Sequence, residues 1–404
     1  MKIEAFELER WQSIWENQVE LNIAESGVEP LTLRELLADS NTDPARILDA
    51  RLGYPQTNGS QELRARIAAL YDGAKAENVL VTCGGAEANY VATWSLIERG
   101  DEVVFMQPNY MQVAGVAEAF GAKIKPWRLR EKLNWAPDAD ELSKLVTKRT
   151  KMIAVCNPSN PTGAVLSEEV MDAICKAARK AGAWILADEV YRGAEFNGKT
   201  TPSFWGRYER VLCTAGLSKA YGLPGLRAGW VVAPAKIAEK LWGYHDYTSI
   251  APTMLTDRAA SVALEPRQNA RLLERTQRIL RENYPVVRDW LAKHEEIFSH
   301  VAPRAGAIAW IGFRKKRDTA RVAEELREKK GVLLVPGEQF GMPGYLRIGF
   351  GENAEKLRKA LARFDEWLKD EGTCEFDAGS VRAFSAQRSA VRGRLTVRSA
   401  GRKR

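Results

Sequence analysis

The sequence predicts an α/β protein with a mainly parallel sheet in a large three-layer αβα domain, followed by a smaller α+β domain. Two observations carry this prediction. From Gly53 onward, short apolar runs alternate with helix-like segments, which is typical of parallel strands joined by crossover helices. Beyond about Lys236, long charged helices and shorter strands replace that alternation. A chain of 404 residues is long enough for both units.

Each predicted element has its own signal. The strands of the large sheet are the apolar runs 78–82, 102–106, 151–155, 183–187, 211–214 and 229–233. Ser60 is a typical N-cap residue, because the apolar residues that follow it fall on one helical face. A second helix covers 167–180 and is closed by Gly182. In the smaller unit we predict a long helix over 268–294 and strands over 307–312, 332–335 and 345–350.

These patterns divide the chain into four segments. Residues 1–45 form an N-terminal segment that packs with the small domain, 46–255 the large domain, 256–372 the small C-terminal domain and 373–404 a basic tail. From Gly379 onward there are eight basic residues and no acidic one, which accounts for the net charge of +8. We expect this tail to be disordered, the alternative being electrostatic association with an anionic partner.

Composition also indicates where the protein works. The acidic N-terminus lacks the apolar core of a signal peptide, and no run approaches 18 apolar residues. Five widely spaced cysteines without a C-x-x-C pair indicate reduced thiols. The three histidines lack metal-ligand spacing, so no metal site is predicted. We therefore expect a cytoplasmic protein without membrane contact.

Chemistry-bearing residues follow the predicted strands at their carboxyl ends, where open parallel sheets bind ligands. Gly84 and Gly85 open a helix whose backbone N–H groups can hold a phosphate, although a plain tight turn fits the same pair. Tyr110 offers a ring to stack on a planar cofactor, or a core aromatic. Asn160 lies in a turn stiffened by two prolines and a glycine. Asp188 ends the strand 183–187, where a carboxylate needs a cation, either a salt-bridge partner or a pyridinium nitrogen.

One lysine stands at the end of the strand 211–214. Lys219 lies between that strand and a glycine-rich bend that ends in Arg227. A positioned, partly desolvated lysine amine can form a Schiff base with an aldehyde cofactor such as pyridoxal phosphate. A lone Ser-Lys dipeptide would otherwise be a solvated turn.

Together these residues are similar to the class I/II aminotransferases, the fold-type-I pyridoxal-phosphate enzymes. The resemblance rests on NPSNPTG at 157–163, ADEVY at 187–191 and SKAYGLPGLR at 218–227, in the family's order, and it covers roughly residues 20–370. It implies that Lys219 forms the internal aldimine and moves the substrate proton. It also implies that Asp188 pairs with the ring nitrogen, that Tyr191 and Asn160 bind the phenolate oxygen, and that Tyr110 stacks on the ring.

The resemblance also assigns the phosphate and substrate groups. Backbone N–H groups of Gly85 and Ala86, the side chain of Arg227, and Tyr54 of a neighbouring subunit would hold the phosphate, which implies a homodimer with shared active sites. The family often has a serine where this chain has Gly216, and Thr214 or Ser218 would replace its hydroxyl. Three residues would bind the substrate: Arg347 would hold the α-carboxylate, with Asn160 beside it and Gly27 contributing its backbone.

The activity implied is ping-pong transfer of an amino group from an L-α-amino acid to a 2-oxo acid. The stretches 22–28 and 245–250 are also similar to a branch that includes capreomycidine synthase and arginine oxidases. A lyase, cyclising or oxidase-type reaction on a guanidino amino acid is therefore the alternative. A non-catalytic protein whose tail binds nucleic acid is the third hypothesis, which the intact set of site residues disfavours. The residues leave the donor and the acceptor open.

Overall fold

The computed structural model describes residues 2–38, 40 and 42–372. The predicted basic tail, 373–404, lies outside them. The strands are β1 Leu21–Asn22, β2 Val79–Cys83, β3 Glu102–Gln107, β4 Lys123–Arg128, β5 Thr150–Cys156, β6 Trp184–Asp188, β7 Val211–Gly216, β8 Ala228–Val232, β9 Phe298–His300, β10 Ile308–Phe313, β11 Val332–Leu333, β12 Val335–Pro336 and β13 Tyr345–Gly349.

Helices connect and cover these strands. They are α1 Glu7–Trp15, α2 Leu33–Ala38, α3 Ala45–Leu48, α4 Gln61–Ala68, α5 Gly85–Leu96, α6 Gln112–Ala119, α7 Ala139–Leu145, α8 Glu168–Ala181, α9 Ala235–His245, α10 Met254–Ala263, α11 Pro266–Ala292, α12 Thr319–Lys330 and α13 Ala354–Gly372. Ser60 caps α4 by accepting a hydrogen bond from the Leu63 N–H, as predicted. Within the described part of the chain, no helix is both long and apolar enough to span a bilayer.

A seven-stranded sheet in the order β2-β8-β7-β6-β5-β3-β4 confirms the α/β prediction. Only β8 runs antiparallel to its neighbours, and every residue of β8 is buried, as expected for a sheet covered on both faces. The six predicted strands are confirmed to within two residues. The strand β4 was missed because it is a half-exposed edge strand with charged residues and Pro126, which give no apolar run.

The smaller sheet, in the order β12-β13-β10-β9, is antiparallel. The prediction of one strand over 332–335 is wrong, because the chain changes partner at Leu334. The strand β11 pairs with β1, whereas β12 pairs with β13. All four residues are buried, so the apolar pattern contains no sign of the break. The pairing of β1 with β11 attaches the N-terminal segment to the second unit.

Apolar side chains pack in three layers around the two sheets. One cluster lies between the large sheet and helices that include α5 and α9, and another lies on the opposite face with α4 and α8. The third joins the small sheet to α11, α12 and α13. The carboxyl ends of β5, β6 and β7 are left facing the N-terminal segment and the small sheet, and the residues singled out by sequence lie there.

Candidate active site

Asp188 ends β6 in register with Cys156 of β5 and Thr214 of β7. Its carboxylate accepts hydrogen bonds from the Asn89 side-chain amide at 2.9 Å and from the Val190 N–H at 3.1 Å. Burial raises the pKa of Asp188, and among the residues that the structure describes no cationic side chain offsets that burial. The carboxylate is thus held in place and favours a cationic ligand.

Asn89 was missed by sequence reasoning. It lies on the first turns of α5, is 3% exposed, and accepts a hydrogen bond from the Thr214 hydroxyl at 2.6 Å while donating to Asp188. The signal was available, because Asn89 follows the glycine pair by one helical turn and so lies on the same face as the helix start. Its two bonds fix the orientation of the Asp188 carboxylate.

Lys219 lies beside the end of β7, and its amine is 2.5 Å from the Glu25 carboxylate. Burial alone would lower the pKa of this lysine, but the nearby Glu25 carboxylate and the Tyr191 hydroxyl reverse the effect and raise it. Tyr191 is buried, which raises the pKa of its phenol, and it donates a hydrogen bond to the Ser26 hydroxyl at 2.9 Å. The amine is therefore held as an ammonium in this arrangement.

The N-terminus of α5 lies next to Arg227. Gly84 has φ +83°, and a β-carbon there would collide with the Arg227 guanidinium. Arg227 in turn donates to the Ser218 hydroxyl at 3.5 Å. The free backbone N–H groups of a 12-residue helix, a guanidinium and a hydroxyl form a cradle suited to a phosphate group.

Gly216 departs from the family's serine for a steric reason. A β-carbon at this position would lie 2.7 Å from the Ala228 carbonyl oxygen and 3.4 Å from the Gly85 nitrogen, so a side chain does not fit. Of the two hydroxyls predicted to replace the serine, that of Thr214 is directed to Asn89, whereas that of Ser218 faces Arg227. We therefore expect Ser218 to contact the phosphate.

We expect Gly216→Ser to destabilise the protein by about 1–3 kcal/mol, because the new side chain forces β7, β8 and the start of α5 apart. Thermal unfolding with and without added cofactor measures the change. The matched control is Gly243→Ser, at an exposed position on α9 with open space around it. Equal stability of the two variants would contradict the packing described for Gly216.

Arg347 occupies the centre of β13 and is 1% exposed. It donates to the Asn160 side-chain oxygen at 3.0 Å and to the Ala24 carbonyl at 2.6 Å, and its Nε atom has no partner among the described residues. Burial lowers the pKa of the guanidinium. Gly27 lies against Lys219, where a β-carbon would be 3.6 Å from the lysine Cδ. The structure thus brings Arg347, Asn160 and Gly27 to the same edge as Lys219.

The two aromatic residues predicted to bind the cofactor differ in their exposure and contacts. Tyr110 packs edge-on against Phe6 with ring centroids 4.8 Å apart and donates a hydrogen bond to Glu9 at 2.7 Å, and burial raises the pKa of its phenol. Tyr54 is 83% exposed and lies outside this chain's own site. Its contribution to a neighbouring subunit stays a prediction.

Three glutamates of the N-terminal segment were also missed as site residues: Glu25 contacts Lys219, Glu16 interacts electrostatically with Lys219, and Glu9 with Glu16 and Arg347. Glu9, Glu16 and Glu25 are all partly buried. Burial and the negative charges of Glu25 and Glu9 raise the pKa of Glu16, whereas Lys219 lowers that of Glu25 to about 2. The sequence singled out this region only through the resemblance of 22–28 and through Gly27. Only the folded chain brings its carboxylates beside the lysine.

A lysine at the carboxyl edge of a mainly parallel sheet, beside a phosphate cradle and a held carboxylate, is the site of an enzyme that binds a phosphorylated aldehyde cofactor. The chain belongs to the aminotransferase class I and II family, whose model matches residues 21–364. Enzymes of this family depend on pyridoxal phosphate, and this chain is a pyridoxal-phosphate-dependent enzyme. The cradle at Gly84 and Arg227 and the carboxylate of Asp188 fit that cofactor.

Relatives with several activities resemble the chain over most of its length. Capreomycidine synthase of Streptomyces vinaceus is 34% identical over 366 residues, which cover 89% of this chain and 93% of that enzyme. Arginine–pyruvate transaminase AruH of Pseudomonas aeruginosa is 30% identical, and the match covers 84% of this chain and 90% of that enzyme. A pyridoxal-phosphate-dependent aminotransferase from Streptococcus suis superposes with a TM-score of 0.86 at 34% identity, covering 93% of this chain and all of that one. The pyridoxal-phosphate-dependent cyclase OrfR superposes with a TM-score of 0.83 at 28% sequence identity, and the match covers 92% of this chain and 98% of OrfR.

Proposed function

We propose that the protein is an aminotransferase that transfers the amino group of an L-α-amino acid with a cationic side chain to a 2-oxo acid. The observation that carries the proposal is the position of Lys219 at the carboxyl edge of the large sheet, together with Asp188 and Tyr191 and facing Arg347 of the small sheet. Bound pyridoxal phosphate supplies an electron sink for the substrate's α-carbon. The chain's own residues bind, orient and move the proton.

Each residue has a distinct task in this proposal. The Lys219 amine takes the proton from the α-carbon and returns it on the cofactor side. Asp188 keeps the ring nitrogen protonated, and Tyr191 and Asn160 donate to the ring's oxygen. Arg347 binds the α-carboxylate through its planar fork. Because these side chains hold different parts of the substrate and the cofactor at once, binding fixes the substrate in one orientation.

The preference for a cationic side chain rests on charge. Glu25 contacts the Lys219 amine, Glu16 interacts with it electrostatically, and Glu9 adds a carboxylate that interacts with Glu16 and Arg347, so we expect a substrate with an acidic side chain to be repelled. The similarity to an arginine–pyruvate transaminase supports a guanidino donor. Arginine is therefore the first donor to test, with pyruvate as acceptor.

A second candidate is a cyclising enzyme that acts on a guanidino amino acid. The 34% identity with capreomycidine synthase and the fold similarity to a cyclase favour it. It uses the same cationic-side-chain site and the same lysine, and it differs in needing no 2-oxo acid acceptor. The two candidates are therefore separable by dependence on the acceptor.

The test is incubation of the purified enzyme with L-arginine, with and without pyruvate, followed by mass spectrometry of the products. We expect alanine and the 2-oxo acid of arginine in equal amounts, formed only when pyruvate is present. L-aspartate in place of L-arginine is the matched control and should react more slowly. A product formed from a guanidino amino acid without pyruvate would favour cyclisation. Faster reaction with L-aspartate would contradict the charge argument.

We further propose a homodimer that works in the cytoplasm. Large apolar side chains on the surface support the dimer, and those more than three-quarters exposed are Leu48, Leu52, Tyr54 and Tyr247. Such side chains are more easily explained by a partner surface than by solvent. The cytoplasmic location rests on the cysteine usage alone.

A further inference from the structure

The N-terminal segment crosses the site with its backbone tied to the small sheet. The Ile23 carbonyl accepts from the Gly349 N–H at 2.7 Å, and the Glu29 N–H donates to the Gly351 carbonyl at 2.8 Å. A β-carbon on Gly349 or Gly351 would collide with the carbonyl oxygens of Glu25 and Gly27. The residues between these ties, including Glu25, have little room to shift.

The Glu25 carboxylate is fixed in turn by its own backbone. Its Oε1 atom accepts from the N–H groups of Ser26 at 2.7 Å and Gly27 at 3.0 Å, and the same atom is 2.5 Å from the Lys219 amine. A carboxylate held by two N–H groups needs no rearrangement to receive a cation. The Glu25 carboxylate is therefore already oriented to accept a hydrogen bond from the lysine.

We propose that Glu25 is a positioning residue for Lys219, holding the lysine amine in place and stabilising its ammonium form when the amine is not joined to the cofactor. This role rests on the proposed function of Lys219. When the amine takes a proton from the substrate, it becomes an ammonium that donates to Glu25 Oε1. When the proton passes on, a neutral amine remains beside the carboxylate. Glu25 itself gains and loses no proton in either step.

The other charged groups around this pair do not replace Glu25. Tyr191 and Arg347 come from the large and small sheets, and Glu16 and Glu9 from the N-terminal segment. Arg347 is cationic and opposes a charge on the lysine. Tyr191 donates its hydrogen bond to Ser26, and no hydrogen bond joins Glu16 or Glu9 to the described atoms of Lys219. Glu25 is the carboxylate in direct contact.

The test measures the lysine itself in the full-length protein after the cofactor has been removed. An amine-reactive label is applied at a series of pH values, and mass spectrometry of the Lys219 peptide gives the pH midpoint of labelling. We expect Glu25→Gln to lower this midpoint by about 1–3 pH units, because an amide does not stabilise the ammonium. The sign follows from the chemistry: only the neutral amine reacts, and the variant makes it available at lower pH.

Two further variants keep the outcome decisive. Glu29→Gln removes an exposed carboxylate from the same segment and should leave the midpoint unchanged. Glu25→Asp keeps the negative charge but places it farther from the lysine, so its labelling midpoint should lie between those of the wild type and Glu25→Gln. This variant also provides the test if Glu25→Gln fails to fold. An unchanged midpoint in Glu25→Gln or in Glu25→Asp overturns the proposal. Because labelling needs no substrate, a wrong donor for the enzyme leaves this result intact.

Discussion

Replacing Lys219 with alanine should lower the rate of amino transfer by more than about 10⁴-fold, because it removes the amine placed to move the substrate's proton. Turnover with L-arginine and pyruvate measures the loss. The absorbance band that the cofactor shows when it is joined to the lysine should be lost as well, replaced by the band of the free aldehyde. The site's remaining groups still hold the phosphate, so we expect the cofactor to bind, but more weakly.

Lys236→Ala is the matched control, since Lys236 is an exposed lysine on α9. It should keep both turnover and the absorbance band of the lysine-bound cofactor. Retention of either property by Lys219→Ala would contradict the assignment of Lys219, whatever the substrate turns out to be. This outcome is independent of the donor specificity.

Asp188→Asn should reduce turnover by about 10³-fold, because an amide cannot balance a protonated ring nitrogen in a water-poor site. Without cofactor the same variant should be more stable than the wild type. The sign follows from the raised pKa of Asp188: burial penalises its charged form, so the folded state loses stability as the pH rises above the ordinary carboxyl range, and the amide removes that loss.

Thermal unfolding with and without pyridoxal phosphate measures both effects. We expect a higher unfolding temperature than the wild type for the cofactor-free variant and a smaller rise on adding cofactor. Asp72→Asn changes an exposed aspartate and should alter neither the unfolding temperature without cofactor nor the rise on adding cofactor. A cofactor-free Asp188→Asn protein that is less stable than the wild type would show that the hydrogen bonds from Asn89 and Val190 stabilise the charged carboxylate by more than burial costs it.

The sequence predicted most of the large sheet and the position of Lys219 at its edge, because buried parallel strands are continuous apolar runs and polar residues mark where they end. It could not predict β4 or the break at Leu334, where edge exposure and uniform burial remove the pattern. Contacts between distant residues also escaped it. The bond between Glu25 and Lys219 joins positions 194 residues apart, and the collision that requires Gly216 depends on the neighbouring strand β8. A local sequence pattern shows neither the contact between Glu25 and Lys219 nor the steric need for glycine at 216.

The route of the N-terminal segment also affects how the protein is made. The strands of the large sheet can pair as soon as they are synthesised. The backbone bonds that hold the segment around Glu25, in contrast, include one to Gly349, which is more than 300 residues later in the chain. At a synthesis rate of about 5–20 residues per second, the first 30 residues wait roughly 15–65 seconds for their partners. The active site can therefore close only after residue 349 has been synthesised, and until then Lys219 lacks the surroundings that hold Glu25 beside it.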